Sequence, residues 1–210
     1  MKVLIAVSSC ERDMLNGNNE AMRETWLPKL AGLADYKFFV GRNEVDLRED
    51  TIRLDVPDDY RSLPFKTRES LRWALAQGYD YIFRAFTDTC CHPGRLVTSF
   101  TGQDYYGHFA GGYSTEPDEQ GHYAYASGGP GYWLSRRACQ IVVDAHPHHW
   151  AEDVVIGDLM GRNSIQGTHE PRFFFKWNRP HPDTISVHLS RATNYYRPEW
   201  MYHCWRQLTR

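Results

Sequence analysis

Tyr79-Asp80-Tyr81-Ile82-Phe83-Arg84-Ala85-Phe86-Thr87-Asp88-Thr89 decides how the rest of the chain is read. The apolar, aromatic run through Phe86 builds a strand, the central one of its sheet. A lone carboxylate, Asp88, stands where that strand ends. In open α/β sheets ligands bind outside the carboxyl ends of the strands. An Asp placed there is suited to holding a hard cation against a phosphate.

The flanking segments read as alternating elements. Residues 2–7 form a short buried strand and residues 8–13 a polar loop at its carboxyl end. Asn18 or Asn19 caps a helix carrying Ala21, Met22, Trp26 and Leu30, distorted by Pro28 near its end. Residues 36–40 form a second strand closed by Gly41, and residues 51–56 an alternating third before the Pro57-Asp58-Asp59 turn. Residues 62–77 are helical, with Phe65, Leu71, Ala74 and Leu75 inward and Gly78 as the stop. His92-Pro93-Gly94 opens a helix through Phe100; residues 105–109 read as an edge strand and 111–122 as a mobile surface loop. Tyr132-Trp133-Leu134-Ser135 starts a helix to Ala145, and 152–160 a helix ended by Gly161. Strands are expected at 173–176 and 185–189. This alternation predicts an α/β fold, a mostly parallel sheet with helices on both faces.

Composition narrows the function classes. The 210 residues suit one domain. A formal net charge of −2 gives no hint of a nucleic-acid surface. Mean hydropathy is −0.61, and the absence of any apolar run of about 18 residues predicts no stable membrane insertion. Residues 2–7 read as a core strand and not a signal peptide, so a soluble, cytoplasmic protein is expected. The five cysteines, Cys10, Cys90, Cys91, Cys139 and Cys204, form no CxxC pair. They read as reduced, mostly buried thiols and not as a zinc knuckle. Seven Trp and 13 Tyr suit carbohydrate stacking, but cores and interfaces use aromatics equally.

Several residues carry candidate chemistry, each with a plainer reading beside it. Asp88 caps the next element, or it binds a cation. Magnesium and manganese take one or two protein oxygens and draw the rest from phosphate and water. Manganese also accepts imidazole, and His188, in Ser186-Val187-His188-Leu189, is the candidate second ligand; packing alone would also place a histidine there. Glu152-Asp153 begins a helix, where the dipole favours acids; the same dipole would keep a general base ionised. Gly128-Gly129-Pro130-Gly131 permits close backbone approach, but it is neither GxGxxG nor a Walker sequence. His146-Pro147-His148-His149 reads as an exposed loop tract and not as a zinc site.

Taken in order, four segments resemble the β-1,3-galactosyltransferase and fringe-like group of GT-A glycosyltransferases. Met22-Arg23-Glu24-Thr25-Trp26 is similar to that family's R-x-T-W element. Residues 59–67, Asp-Tyr-Arg-Ser-Leu-Pro-Phe-Lys-Thr, are similar to D-x-Y-x-N-L-T-x-K-T. Residues 124–135 are similar to Y-A-S-G-x-G-Y-x-L-S with one residue inserted, and Glu152-Asp153-Val154-Val155-Ile156-Gly157 to E-D-V-x-x-G. The family's D-D-D reads Phe86-Thr87-Asp88 here, so only its last acid is retained.

The resemblance implies a GT-A fold in one domain, 1–210, with a nucleotide-binding half to about residue 100 and an acceptor half beyond. It implies inverting transfer of a hexose from a UDP-sugar, such as UDP-glucose, to a hydroxyl of a glycan or glycoprotein acceptor. Asp88 and His188 would hold Mn²⁺, or Mg²⁺, on the diphosphate. Asp153 would be the general base and Glu152 its reserve. Ser8, Ser9 and Arg12 would lie near the uracil, Arg23 and Lys66 would fix the nucleotide with Thr87 close by, and Gly128 and Gly129 would approach the sugar. The compact form is similar to small anchorless transferases from bacteria or large DNA viruses. Two other classes stay open: a nucleotide-sugar or glycan-binding module without turnover, and a nucleotidyltransferase or nucleotide-sugar hydrolase. The last ranks lower, because it usually needs two carboxylates on the metal.

Overall fold

Side chains alternate along β1 (Val3–Ser8), and that alternation organises the fold. Val3, Ile5 and Val7 face one helical layer, Leu4 and Ala6 the other, and all five are buried. The structure, a computed structural model, describes residues 1–43, 45–110, 114–174, 181–190 and 196–209.

The remaining strands are β2 (Asp35–Val40), β3 (Thr51–Arg53), β4 (Tyr81–Phe86), β5 (Thr89–Cys91), β6 (Tyr105–Gly107), β7 (Tyr132–Ser135), β8 (Gly167–His169), β9 (Phe173–Phe174) and β10 (Ser186–His188). Six of them join β1 in the seven-stranded main sheet, in the order β3-β2-β1-β4-β7-β6-β8. β7 runs antiparallel to β4 and β6, whereas the other pairings are parallel. The helices are α1 (Glu11–Leu15), α2 (Asn18–Glu24), α3 (Leu63–Ala76), α4 (Pro93–Ser99), α5 (Arg136–Asp144), α6 (Glu152–Arg162) and α7 (Pro198–Leu208). Met22, Leu96 and Met201 bring α2, α4 and α7 onto one face of the sheet. Leu71, Ala138 and Ile156 bring α3, α5 and α6 onto the other. The fold is therefore α/β, with a mostly parallel mixed sheet between helical layers.

From β1 the chain goes to β2 on one side, and it returns through α3 to β4 on the other. The carboxyl ends of β1 and β4, where Ser8 pairs with Phe86, thus form a topological switch point, where such sheets open a ligand crevice. A second, three-stranded sheet, β5-β10-β9, begins directly beyond β4. β10 runs antiparallel to β5, with His188 opposite Thr89.

Several local expectations are corrected. Tyr132–Ser135 is a strand and not a helix start, because β4 and β6 pair with it from both sides. The helix begins only at Arg136, where the Ser135 hydroxyl accepts the Ala138 N–H. β6 is not an edge, since β8 pairs with it. The 8–13 loop contains α1, whose Glu11 N–H is accepted by Asp58 at 2.8 Å. The helix at Asn18 ends at Glu24, and Leu30 belongs to a 3-10 turn, Leu27–Leu30. The third strand stops at Arg53, and α6 runs past Gly161. β5, β8 and α7 were not anticipated. Of the strand expected at 173–176, residues 175 and 176 lie outside the described residues, as do residues 111–113 of the expected loop; residues 114–121 are exposed. All five cysteines are free thiols, four buried and Cys10 half-buried. Among the described residues, no helix is long and apolar enough to cross a membrane.

Candidate functional site

Asp88 occupies the turn between β4 and β5. The antiparallel pairing of β10 with β5 carries His188 to it across 100 residues, placing Nε2 3.0 Å from Asp88 Oδ2. The Leu189 N–H donates to the Asp88 carbonyl at 2.9 Å, and the Ser190 hydroxyl donates to the same Oδ2 at 2.5 Å. Both side chains are 17% exposed, open enough to meet a ligand. This is the separation of a His–Asp hydrogen bond; two donors bonded at about 2.1 Å to an octahedral ion also lie about 3.0 Å apart at right angles. One carboxylate oxygen and one imidazole nitrogen also suit manganese chemically. Among the described residues, no set of three His, Cys, Asp or Glu side chains is grouped for a metal; the pair supplies two protein donors.

Gly129 lies against the His188 ring. A Cβ built there would stand 2.5 Å from its Cγ and Nδ1, a distance no side chain tolerates. The Thr89 hydroxyl holds the Gly129 carbonyl at 2.8 Å. One residue earlier, the Gly128 N–H donates to Asp153 Oδ2 at 3.2 Å. Successive Cα atoms are about 3.8 Å apart, so the double glycine joins the Asp88–His188 pair to Asp153. The Gly128 amide, expected near the sugar, is bonded to Asp153.

This contact geometry makes a test of the site's construction. Gly129→Ala is expected to displace the imidazole and move the His188 ring resonances in long-range ¹H–¹⁵N spectra. Gly128→Ala is expected to leave them in place, because a Cβ there meets Phe86 Cε2 at 3.3 Å and two carboxylate oxygens at 3.6 and 3.7 Å. Equal shifts in the two variants would refute the contact.

Asp153 is half-buried in the first turn of α6, and its Oδ1 accepts the Val154 N–H at 3.1 Å. Burial pushes its carboxyl above the ordinary Asp range, against the pull of the Gly128 and Val154 N–H groups. Glu152 differs. Its Oε1 accepts from the Thr67 hydroxyl at 2.9 Å and the Tyr132 hydroxyl at 2.5 Å, and lies 3.2 Å from Arg84 Nε. Arg84 and Glu152 are 1% and 3% exposed. Burial raises the Glu152 carboxyl, and the Arg84 charge opposes that shift. Glu152, expected as the reserve base, is the counter-ion of a buried arginine.

The other expected ligand contacts are distributed unevenly. Ser8 and Ser9 are buried at the end of β1. The Ser9 hydroxyl donates to Asn19 Oδ1 at 2.7 Å, and its carbonyl accepts from Lys66 Nζ at 2.8 Å. Lys66 is buried and ion-paired with Asp58 at 2.5 Å, and Asp58 also accepts the Gly41 N–H. Lys66 thus ties β1, β2 and α1 together and does not reach toward a nucleotide. Arg23 forms a forked pair with Asp50 at 2.7 and 2.8 Å, at the amino end of β3. Arg12 is exposed on α1 and makes no ion pair among the described residues. The Thr87 hydroxyl donates to Asp13 Oδ2 at 2.9 Å, linking the segments that follow β1 and β4.

The sequence assigns no role to Arg84, Asp13, Ser190 or Asp58. Arg84 alone had a readable signal, a charge inside an apolar strand. The histidine tract is a loop, as expected, but His148 Nε2 and His122 Nδ1 both meet the buried Asp158 Oδ2, at 2.8 and 2.9 Å. These bonds hold two loops on α6 and pull the Asp158 carboxyl down against the effect of burial. No protein-family model and no curated protein matches this chain.

Proposed function

We propose that the chain is an inverting, metal-dependent glycosyltransferase of the GT-A type, moving a hexose from a UDP-sugar to a hydroxyl of a glycan acceptor. One observation carries the reading: an Asp–His pair at a separation that a divalent ion also allows and a half-buried carboxylate of raised pKa, joined by two consecutive glycines at a sheet switch point. Asp88 and His188 would hold Mn²⁺ or Mg²⁺, which when bound would offset the charge that grows on the departing diphosphate. Asp153 accepts the proton of the acceptor hydroxyl. The acceptor oxygen then bonds to the sugar's anomeric carbon from the face opposite the diphosphate. The carbon–oxygen bond to UDP breaks, and its electron pair leaves with UDP. Ser8, Ser9 and Arg12 border the side of the crevice that takes the uracil. The Thr87–Asp13 bond links the segments that follow β1 and β4.

A thermal-shift panel of UDP, GDP and CMP, each with and without Mn²⁺, tests this. Stabilisation grows with occupancy, so UDP with Mn²⁺ is expected to raise Tm more than either alone and more than the other nucleotides. Asp88→Ala is expected to remove the cation-dependent part. An undiminished shift in that variant, or no nucleotide preference in the wild type, would count against the proposal.

A further inference from the structure

Residues 122–127 join no strand ladder, yet their path is closely held. Backbone N–H groups outside a ladder need other acceptors, and α6, β6 and the loop after β6 supply them. The Tyr123 N–H donates to Asp158 Oδ1 at 2.8 Å and the Ala126 N–H to the Tyr105 hydroxyl at 2.7 Å. The Ser127 N–H donates to the His108 carbonyl at 2.8 Å, and the Gly128 N–H to Asp153. The segment runs along α6 toward its amino end. Gly161, Gly157 and Asp153 are four residues apart and share one face of that helix. Glycine is a poor helix former, and here each one makes room. A Cβ on Gly161 would overlap the Tyr123 ring. A Cβ on Gly157 would stand 2.5 Å from Tyr125 Cβ, 2.9 Å from the Ala124 carbonyl oxygen and 3.0 Å from Tyr125 Cα. Two residues of extended chain advance about 6.6 Å and four helical residues about 6 Å. Tyr123 on Gly161 and Tyr125 on Gly157 are therefore matched notches. Continuing the same way, the chain delivers Gly128 to Asp153 and Gly129 to the His188 ring.

Asp158 fixes the far end. It is fully buried, and a buried carboxylate is costly unless it is paired. Its partners are His122 Nδ1 at 2.9 Å and the Tyr123 N–H on this segment, and His148 Nε2 at 2.8 Å on the loop that leads into α6; Arg162 stands farther off, at 4.0 Å. One carboxylate thus holds both chain segments that arrive at Asp153. We propose that residues 122–128 act as a strap registered along α6 by Gly157, Asp158 and Gly161, and that these three are positioning residues for the Asp153 carboxylate and the His188 imidazole. The part those two side chains take in sugar transfer rests on the glycosyltransferase reading; the register of the strap does not. A strap out of register takes the Gly128 N–H from Asp153 and removes the backbone that backs the imidazole. Loop packing for stability alone would instead confine the effect of a change at Gly157 to Tm.

Gly157→Ala tests the register, read in ¹H–¹⁵N spectra at the Gly128 amide and the His188 ring, with Gly128 hydrogen exchange, Tm and UDP release measured on the same protein. The clash there includes strap backbone, so side-chain rotation does not relieve it and the strap is expected to shift. The Gly128 and His188 resonances are expected to move and Gly128 exchange to quicken about tenfold. The kcat is expected to fall about 10²-fold, the cost of an ångström's misplacement, while unfolding stays cooperative. Asp158→Ala is expected to give the same signature. Asp158→Asn, which keeps an oxygen for the Tyr123 N–H, is expected to recover part of it. Unmoved resonances in Gly157→Ala would overturn the strap; a raised Tm would accompany them, because alanine favours a helix over glycine and nothing would oppose it. Moved resonances with wild-type kcat would overturn the positioning role. Moved resonances in a protein whose wild type shows no UDP–Mn²⁺ thermal shift would uphold the register and remove the glycosyltransferase reading.

Discussion

Asp153→Asn is expected to lower sugar transfer by about 10²–10⁴-fold, the usual cost of removing a general base, while UDP–Mn²⁺ affinity stays within about twofold. The carboxamide keeps the side chain's size. It retains one oxygen for the Gly128 or Val154 N–H, the two donors now serving the carboxylate. Losing a negative charge in the first turn of α6 costs about 0.3–1 kcal/mol of dipole interaction, too little to unfold the protein. The loss should therefore appear in kcat, read as UDP release with a glycoside acceptor. A pH signature accompanies it. Catalysis needs the ionised carboxylate, and burial has raised the pKa at which Asp153 takes up a proton. The wild-type rate is thus expected to fall on acidification at a higher pH than an ordinary Asp would give, and the residual rate of the variant to lack that limb. Wild-type turnover in Asp153→Asn would remove the residue from the proton-accepting role.

The second large effect is on stability. Glu152→Ala strands the Arg84 guanidinium, 1% exposed, with no counter-charge. Its NH2 nitrogen already lacks a hydrogen-bond partner among the described residues. Removing one partner of a buried pair costs about 3–5 kcal/mol, a large share of the roughly 5–15 kcal/mol that stabilises an ordinary domain. Urea unfolding is expected to show the midpoint falling accordingly. Paired replacement, Arg84→Met with Glu152→Leu, is expected to recover most of the loss, because apolar residues of similar volume remove both desolvation penalties together. Glu152→Gln keeps an oxygen for Thr67 and Tyr132 and is expected to lie between. A Glu152→Ala midpoint equal to wild type would show that the pair is not structural. Glu152→Gln that folds but loses turnover like Asp153→Asn would return Glu152 to catalysis.

Much of the fold was legible where a pattern was long enough to have a period. β1, β2, α3 and β4 carry continuous apolar or helical signals bounded by polar residues and Gly78, which adopts a φ of 79° at the end of α3. The site was legible in part. Asp88 follows from its place at a strand end, and Asp153 from its place in a first helical turn. The positive side chains were not. Lys66 and Arg23 looked available as ligand contacts, and each has a carboxylate from another segment, Asp58 and Asp50. Sequence spacing gives no sign of such partners, because they come from loops whose paths depend on how the strands pair. The Tyr60–Trp150 ring contact was hidden likewise: the two residues sit in separate segments, and aromatic content alone does not tell a core ring from a surface one.

By itself the amino-acid order determined the α/β class, the central strand with Asp88 just beyond its end, and a backbone open to close approach at Gly128, Gly129 and Gly131, since all of these are set by local periodicity and local sterics. Only the tertiary structure decided that Tyr132–Ser135 is a strand, because four apolar residues have no period of their own and β4 and β6 supply the hydrogen bonds that choose. It also decided that His188 reaches Asp88 and that Glu152 answers the buried Arg84. Those pairings close loops of tens to a hundred residues, and their free energy comes from strand registry and shared burial that no short segment carries.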